Sequence, residues 1–242
     1  MKTIVVGDIH GCYDNFRGLL GISGLKKEED RLVLLGDLMD RGSKCWEVLQ
    51  FVMELKEEMG ERCVILRGNH DQMLIDILGS SDQEHLHSPE KAREIWMRNG
   101  SQSTLASFEE YGEDVYRYIP WMEKNMVLYY EDELFQCAHA GLIYEKLASN
   151  EMHTLLWERE AFRSGLYDGK LTIVGHTPVD TPVYVNTKGK QPYHPVWGMK
   201  QLPQNGIINI DTGSVYGGKL TAMRISGECF RFYQYDTRVK RS

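Results

Sequence analysis

Four short runs of apolar, largely β-branched residues mark the chain at residues 3–6, 32–35, 63–66 and 171–174. Runs of this length, each followed by glycine directly or, after 63–66, one residue on, predict buried strands. Helical spacing fills the stretches after the first three, around residues 14–20, 43–59 and 70–78. In the second, Trp46, Leu49, Met53 and Lys56 recur at roughly helical intervals. Ser43 is its expected N-cap with Glu47 in the first turn, and Gly60 its expected stop. This alternation predicts a mostly parallel sheet with right-handed crossovers.

Residues 79–122 carry helical signals and no strand signal, so they read as a helical insert, a lid or cap. Within them Ser81-Asp82-Gln83 reads as a loop and Ser88-Pro89-Glu90 as a helix start, with proline at the first helical position. Residues 126–130 and 134–138, split by the acidic turn Glu131-Asp132-Glu133, predict a hairpin. Residues 178–205, rich in Pro, Gly, Lys and aromatic side chains, read as a loop. Strands return at 207–210, 220–225 and 229–235. No repeat or low-complexity linker interrupts the pattern, so one domain over residues 1–242 is expected.

Composition narrows the class. At 42% hydrophobic and 26% charged residues the chain is globular. Its net charge of -7 argues against nucleic acid as a partner. No apolar stretch approaches the ~20 residues that span a bilayer, so no membrane partner is expected, and the N-terminus enters a strand without signal-peptide features. The five cysteines are scattered without a CxxC pair, which fits free thiols in a reducing cytoplasm.

The strand ends carry the chemistry. They read Gly7-Asp8-Ile9-His10-Gly11, Gly36-Asp37-Leu38-Met39-Asp40-Arg41-Gly42, Gly68-Asn69-His70-Asp71 and Gly175-His176-Thr177. In open α/β sheets, loops from separate strands converge at the carboxyl ends. With His139, from Cys137-Ala138-His139-Ala140-Gly141, the candidate metal ligands are Asp8, His10, Asp37, Asn69, His139 and His176. A set of oxygen and imidazole donors without thiolate suits Mn, Fe, Co or Zn. Six are too many for one catalytic ion with an open position. They suit two ions sharing a carboxylate, which clamp the oxygens of an in-line displacement and generate hydroxide near neutral pH. Phosphate ester hydrolysis is the natural reaction. His70, oriented by a carboxylate, is placed to act as general acid, and Arg41 offers a planar fork to phosphate oxygens.

Each piece alone has an ordinary reading. Gly-Asp is usually a turn or a cap, and a lone histidine is more often structural than a ligand. The coincidence at successive strand ends favours the site. His85, His87, His153 and His194 lie outside the pattern and read as structural, Arg67 and Asp71 as local partners, and the methionines as core filler. Lys188, Lys190 and Lys200 read as a solvated basic loop before they read as ligands for an anion.

The motifs resemble the signature of the phosphoprotein phosphatase branch of the calcineurin-like metallophosphoesterases: GDxHG, GDxxDRG, GNHD/E, then separated HA and GH elements. All stand in order between residues 7 and 177, and Asn209-Ile210-Asp211-Thr212-Gly213 is similar to the ending of bacterial members. The resemblance implies an α/β fold, an αββα sandwich of mixed sheets flanked by helices. It implies one metal on Asp8, His10 and Asp37 and a second on Asp37, Asn69, His139 and His176, probed first with Mn and then with Fe, Zn, Co or Ni. It makes His70 the acid, paired with Asp40, and sets Arg41, Asn69 and a second arginine against the phosphate. Trp157-Glu158-Arg159 supplies Arg159 for that role, with Arg163 as the fallback.

Two bacterial subtypes fit. Serine/threonine or dual-specificity protein phosphatases come first, because Asp40-Arg41 and Gly175-His176-Thr177 look like their form. Symmetrical diadenosine tetraphosphatases, which cut Ap4A into two ADP, come second, since many have a small residue in place of that aspartate. The expected partner is thus a phosphorylated protein or a dinucleoside polyphosphate. A non-catalytic phosphate-binding scaffold is the reading from another class, and the complete ligand set counts against it.

Overall fold

A computed structural model of the chain describes residues 1–80, 84–192 and 198–238. Its strands are β1 (Thr3–Val6), β2 (Arg31–Leu34), β3 (Cys63–Leu66), β4 (Met126–Val127), β5 (Tyr129–Glu131), β6 (Gln136–Ala138), β7 (Thr172–Val174), β8 (Val183–Asn186), β9 (Gly189–Pro192), β10 (Lys200–Gln201), β11 (Ile207–Asn209), β12 (Leu220–Ser226) and β13 (Cys229–Tyr235). Its helices are α1 (Tyr13–Ser23), α2 (Cys45–Met59), α3 (Asn69–Leu78), α4 (Pro89–Arg98), α5 (Ser101–Glu110), α6 (Ile119–Asn125), α7 (Met152–Trp157) and α8 (Glu160–Ser164).

The strands form two mixed sheets. One runs β10-β13-β12-β1-β2-β3-β4, with β1 to β4 parallel. The other runs β5-β6-β7-β11-β8-β9, with β6, β7 and β11 parallel. The period-2 alternation of a strand sorts the side chains. Val5, Val33 and Leu35 point between the sheets, where they meet Cys137, Ile173, Ile208 and Ile210. Ile4, Val6, Leu32 and Leu34 point the other way and pack under the helices, with Phe16, Val48, Val52, Trp96 and Phe108. The outer face of the second sheet packs Ala138, Val174 and Ile207 against Leu147, Leu155 and Phe162. Helix, sheet, sheet and helix layers follow, which is the expected αββα sandwich. Among the described residues no helix is long and apolar enough to cross a membrane.

Three expectations need correction. Ser43 does not cap α2: Lys44 takes that place without a side-chain cap bond. Residues 40–43 are used instead in an irregular turn in which Asp40 and Arg41 have positive φ. The cap comes from outside, as the Trp46 N–H donates to Ser107 Oγ on α5 at 3.0 Å. The expected strand 126–130 is two strands. β4 pairs with β3 in the first sheet and β5 with β6 in the second, so the chain changes sheets at Leu128. Arg67 fastens that crossing by donating from Nε to Met126 O at 3.2 Å and from Nη2 to Glu123 O at 3.1 Å. Lastly, the expected loop 178–205 contains the β8–β9 hairpin, which extends the second sheet beyond β11. The loop expected at Ser81-Asp82-Gln83 lies outside the described residues, whereas Ser88 caps α4 and Pro89 opens it as expected.

Ile173 is fully buried between the two sheets. Ile173→Ala should destabilise the protein by about 2–5 kcal/mol, the usual cost of a core truncation. Urea unfolding would read this, and a loss no larger than that of a surface change would contradict the packing between the layers.

Candidate active site

The functional side chains sit just beyond the carboxyl ends of six parallel strands, three in each sheet. β1 leads to Asp8 and His10, β2 to Asp37 and β3 to Asn69, which opens α3. β6 leads to His139, β7 to His176 and β11 to Asp211. The six expected metal ligands are all buried. The glycine before a ligand is where a neighbouring ligand packs. A Cβ at Gly68 would stand 2.0 Å from Asp37 Oδ1, and one at Gly175 would stand 2.0 Å from Asp8 Oδ1.

Hydrogen bonds aim the imidazoles. His10 Nδ1 lies 2.8 Å from Met39 O, and His139 Nδ1 lies 2.8 Å from Leu35 O. Burial lowers the pKa of His10 to about 3, of His176 to about 2, and of His139 below the ordinary value. A neutral ring has one proton, and the carbonyls claim it at Nδ1, so Nε2 presents a lone pair. His10 Nε2 and His139 Nε2 then face Asp37 Oδ2 at 3.4 and 3.5 Å. His139 Nε2 also faces Asn69 Oδ1 at 3.0 Å. His176 Nε2 and His70 Nε2 are buried with no hydrogen-bond partner among the described residues.

Carboxylates crowd the same place. Burial raises the Asp8 pKa well above its ordinary value, and the charges of Asp211 and Asp37 add to the rise. Burial, then Asp37, raises Asp211 to about 6, although it accepts a bond from the Gly213 N–H. Burial opposes ionisation of Asp37, and positive charge at the positions of His139, His70, His10 and His176 would favour it. Acceptors facing acceptors, orphaned imidazole nitrogens and clustered carboxylates make an environment that favours cations. Two triads of donor atoms, from His10, Asp37 and His70 and from Asp37, His139 and His176, each lie within 4.8 Å of one another. The donor set therefore fits two divalent ions flanking Asp37.

Around this cluster, His70 Nδ1 donates to Asp40 Oδ2 at 2.7 Å. Arg41 Nη1 donates to His10 Nε2 at 2.5 Å, and its guanidinium lies over the Tyr216 ring at 5.5 Å. Burial lowers the pKa of Arg159, and the positive charge of Arg163 lowers it further, while Asp37 acts in the opposite sense. The expected second arginine thus shares the field of the cluster with its fallback beside it.

Among the described residues, those read as structural have local partners. Asp71 accepts the N–H groups of Asp37 at 2.7 Å, Gly68 at 2.8 Å and Leu38 at 3.2 Å. His85 bonds Asp76 and Ser80 O, and His153 stacks on Trp157. His87 donates its backbone N–H to Asp76, and His194 lies outside the described residues. Lys190 covers the Phe162 ring and Lys200 pairs within the first sheet. Asp211 stood in the sequence only within the segment 209–213, without a role of its own, and Trp96 and Thr104 carried none either. Asp211 carried a signal, since it follows the apolar run 207–210 as Asp8 follows 3–6. Trp96 and Thr104 had none.

Comparison with known proteins agrees with this geometry. Residues 1–196 match the calcineurin-like phosphoesterase family. The chain is 26% identical to serine/threonine-protein phosphatase 1 of Salmonella typhimurium, over 91% of this chain and 90% of that one. It is 30% identical to the asymmetrical bis(5'-nucleosyl)-tetraphosphatase PrpE of Bacillus subtilis, over 93% and 91%. A protein serine/threonine phosphatase from Saccharomyces cerevisiae shares the fold, with a TM-score of 0.65 at 13% identity, over 100% of this chain and 81% of that one.

Gly68→Ala and Gly175→Ala each set a methyl group against a ligand carboxylate. Each should keep the far-UV spectrum and bind fewer manganese ions per chain than the parent, measured by elemental analysis after gel filtration. Undiminished metal content in both would show that the glycines do not hold the ligands in register.

Proposed function

The chain belongs to the calcineurin-like phosphoesterase family, a family of phosphoric ester hydrolases, and on that premise we propose that it is a two-metal phosphomonoesterase acting on phosphoseryl and phosphothreonyl proteins. Asp8, His10 and Asp37 would hold one ion, and Asp37, Asn69, His139 and His176 the other. Manganese is the metal we favour, with Fe, Zn, Co or Ni as alternatives; oxygen and imidazole donors without thiolate are compatible with it. When bound, such ions supply Lewis-acid charge to phosphoryl oxygens and make water more acidic. The free cysteines support a reducing, cytoplasmic setting.

The protein's own groups bind and orient the substrate. Arg41 presents its fork to the phosphoryl oxygens, and Arg159 and Asn69 add further contacts to them. His70 donates a proton from Nε2 to the leaving oxygen while Asp40 holds Nδ1–H at 2.7 Å. This buried pair is the observation that carries the reading. A seryl or threonyl alkoxide is a poor leaving group and requires a proton, whereas a nucleotide leaving from a phosphoanhydride is a weak base and does not.

A second reading, hydrolysis of a dinucleoside tetraphosphate, is supported by the full-length similarity to a protein named for that activity. That relative is named asymmetrical, so the off-centre cut into ATP and AMP joins the two ADP expected from the sequence.

With manganese, the protein should release phosphate from a phosphoserine peptide faster than it consumes Ap4A. His70→Asn should slow the peptide reaction by about 10²–10⁴-fold, the usual share of a general acid, with metal content unchanged. An unaltered rate would overturn the assignment of His70. Faster turnover of Ap4A would favour the second reading, and chromatography of the nucleotides would give the cut.

A further inference from the structure

We propose that the helical insert works inside the catalytic apparatus, through Trp96 of α4 and Thr104 of α5. These positioning residues fix the plane of the Asp40 carboxylate and thereby aim His70. The inference rests on the reading of His70 as proton donor and extends it to the insert, which the sequence presented as a lid or cap.

The clamp is visible bond by bond. Thr104 Oγ1 donates to Asp40 Oδ1 at 2.6 Å and accepts the Asp40 backbone N–H at 2.9 Å. The hydroxyl has one proton, and the carboxylate, which can only accept, lies far closer to it than Cys45 Sγ at 3.5 Å. Trp96 Nε1 donates across both oxygens, at 2.9 Å to Oδ2 and 3.1 Å to Oδ1. His70 Nδ1 completes the set on Oδ2. Asp40, His70, Trp96 and Thr104 are all at most 2% exposed, so water does not substitute for these donors.

The insert grips the neighbouring backbone as well. Gly100, between α4 and α5, accepts the Arg41 N–H at 3.1 Å, and a Cβ there would stand 2.8 Å from Arg41 Cγ. With Ser107 capping α2, the insert holds residues 40–46 by backbone and side chain alike. A buried carboxylate with His70 as its sole donor could swing its plane and carry the imidazole with it. Donors on both oxygens remove that freedom. The insert is thus a buttress for the proton donor.

A role confined to stability would slow every substrate alike, whereas a role through His70 depends on how much the leaving group requires a proton. Trp96→Phe and Thr104→Val should lower kcat for phenyl phosphate by about tenfold to a hundredfold, the range for a hydrogen bond to a charged group. They should leave kcat for 2,4-dinitrophenyl phosphate, KM and bound manganese nearly unchanged. Thr104→Ser, which keeps the hydroxyl, should restore what Thr104→Val loses. In a His70→Asn background neither substitution should slow phenyl phosphate further. Equal losses on both esters, or full losses without His70, would overturn the clamp while leaving His70 as the acid. If His70→Asn itself left phenyl phosphate untouched, the underlying reading and the clamp would fall together. Should Thr104→Val not fold, Trp96→Phe decides by the same criteria.

Discussion

The molecule is organised around the carboxylate of Asp37. It is 1% exposed, faces the imidazoles of His10 and His139 through one oxygen, and accepts the His70 N–H at 3.0 Å through the other. Burying a carboxylate is costly unless it is paired and hydrogen-bonded, so the surroundings must be exact in position. They come from both sheets: His10 from the end of β1, Asn69 from β3, His139 from β6 and His176 from β7. The two sheets therefore cannot slide over one another without exposing or unpairing this group. Asp71 ties the arrangement from behind, since its carboxylate joins the backbone after β2 to the backbone after β3.

The same requirement accounts for where strain is stored. Among the described residues, five non-glycine positions have positive φ: His10, Asp37, Asp40, Arg41 and His176. All five lie at the site, and such conformations cost of order 1–3 kcal/mol each. Each of the five backbone N–H groups is held. His10 donates to Asp37 O, Asp37 to Asp71, Asp40 to Thr104, Arg41 to Gly100 O and His176 to Asp8. The five acceptors come from four separated stretches of the sequence, around residues 8, 37, 71 and 100–104, so the strained turns persist only when the whole sandwich, insert included, is assembled. Strain and assembly are coupled, and the reacting groups are preorganised as a result.

The strand ends were legible because their signal is local. A four-residue apolar run, a glycine and a ligand fit within seven residues, which made Asp8, Asp37, Asn69 and His176 visible; His10 follows Asp8 by two, and His139 directly follows the expected strand 134–138. What escaped was carried by distant pairing. Residues 126–130 look like one strand because pattern gives burial and not partners, yet Leu128 divides them between sheets. The Pro-, Gly- and Lys-rich composition of 178–205 disguised β8 and β9, whose formation depends on pairing with β11. Ser43 looked like a cap until Ser107, from another helix, took that work. Trp96 and Thr104 meet Asp40 across 56 and 64 residues, a separation at which helical periodicity says nothing.

This division between local and distant signals has a chemical counterpart. The groups suited to hold metal come from strand ends, whose geometry the sheets impose, and they would serve any phosphoryl transfer. On the reading proposed above, the groups that would distinguish one ester from another depend less on the sheets: Arg41 sits in a strained turn, Arg159 at the start of α8, and the Asp40–His70 pair, although it follows β2 and β3, is fixed by the insert. An anhydride substrate would draw on the first set and on the arginines, and would gain nothing from a proton donor held by a desolvated carboxylate. Keeping Asp40 buried costs desolvation that three donor side chains, His70, Trp96 and Thr104, must offset. That cost has a chemical return when the leaving oxygen is too basic to depart unprotonated, which is why the insert, more than the metal ligands, directs the reading toward phosphomonoesters.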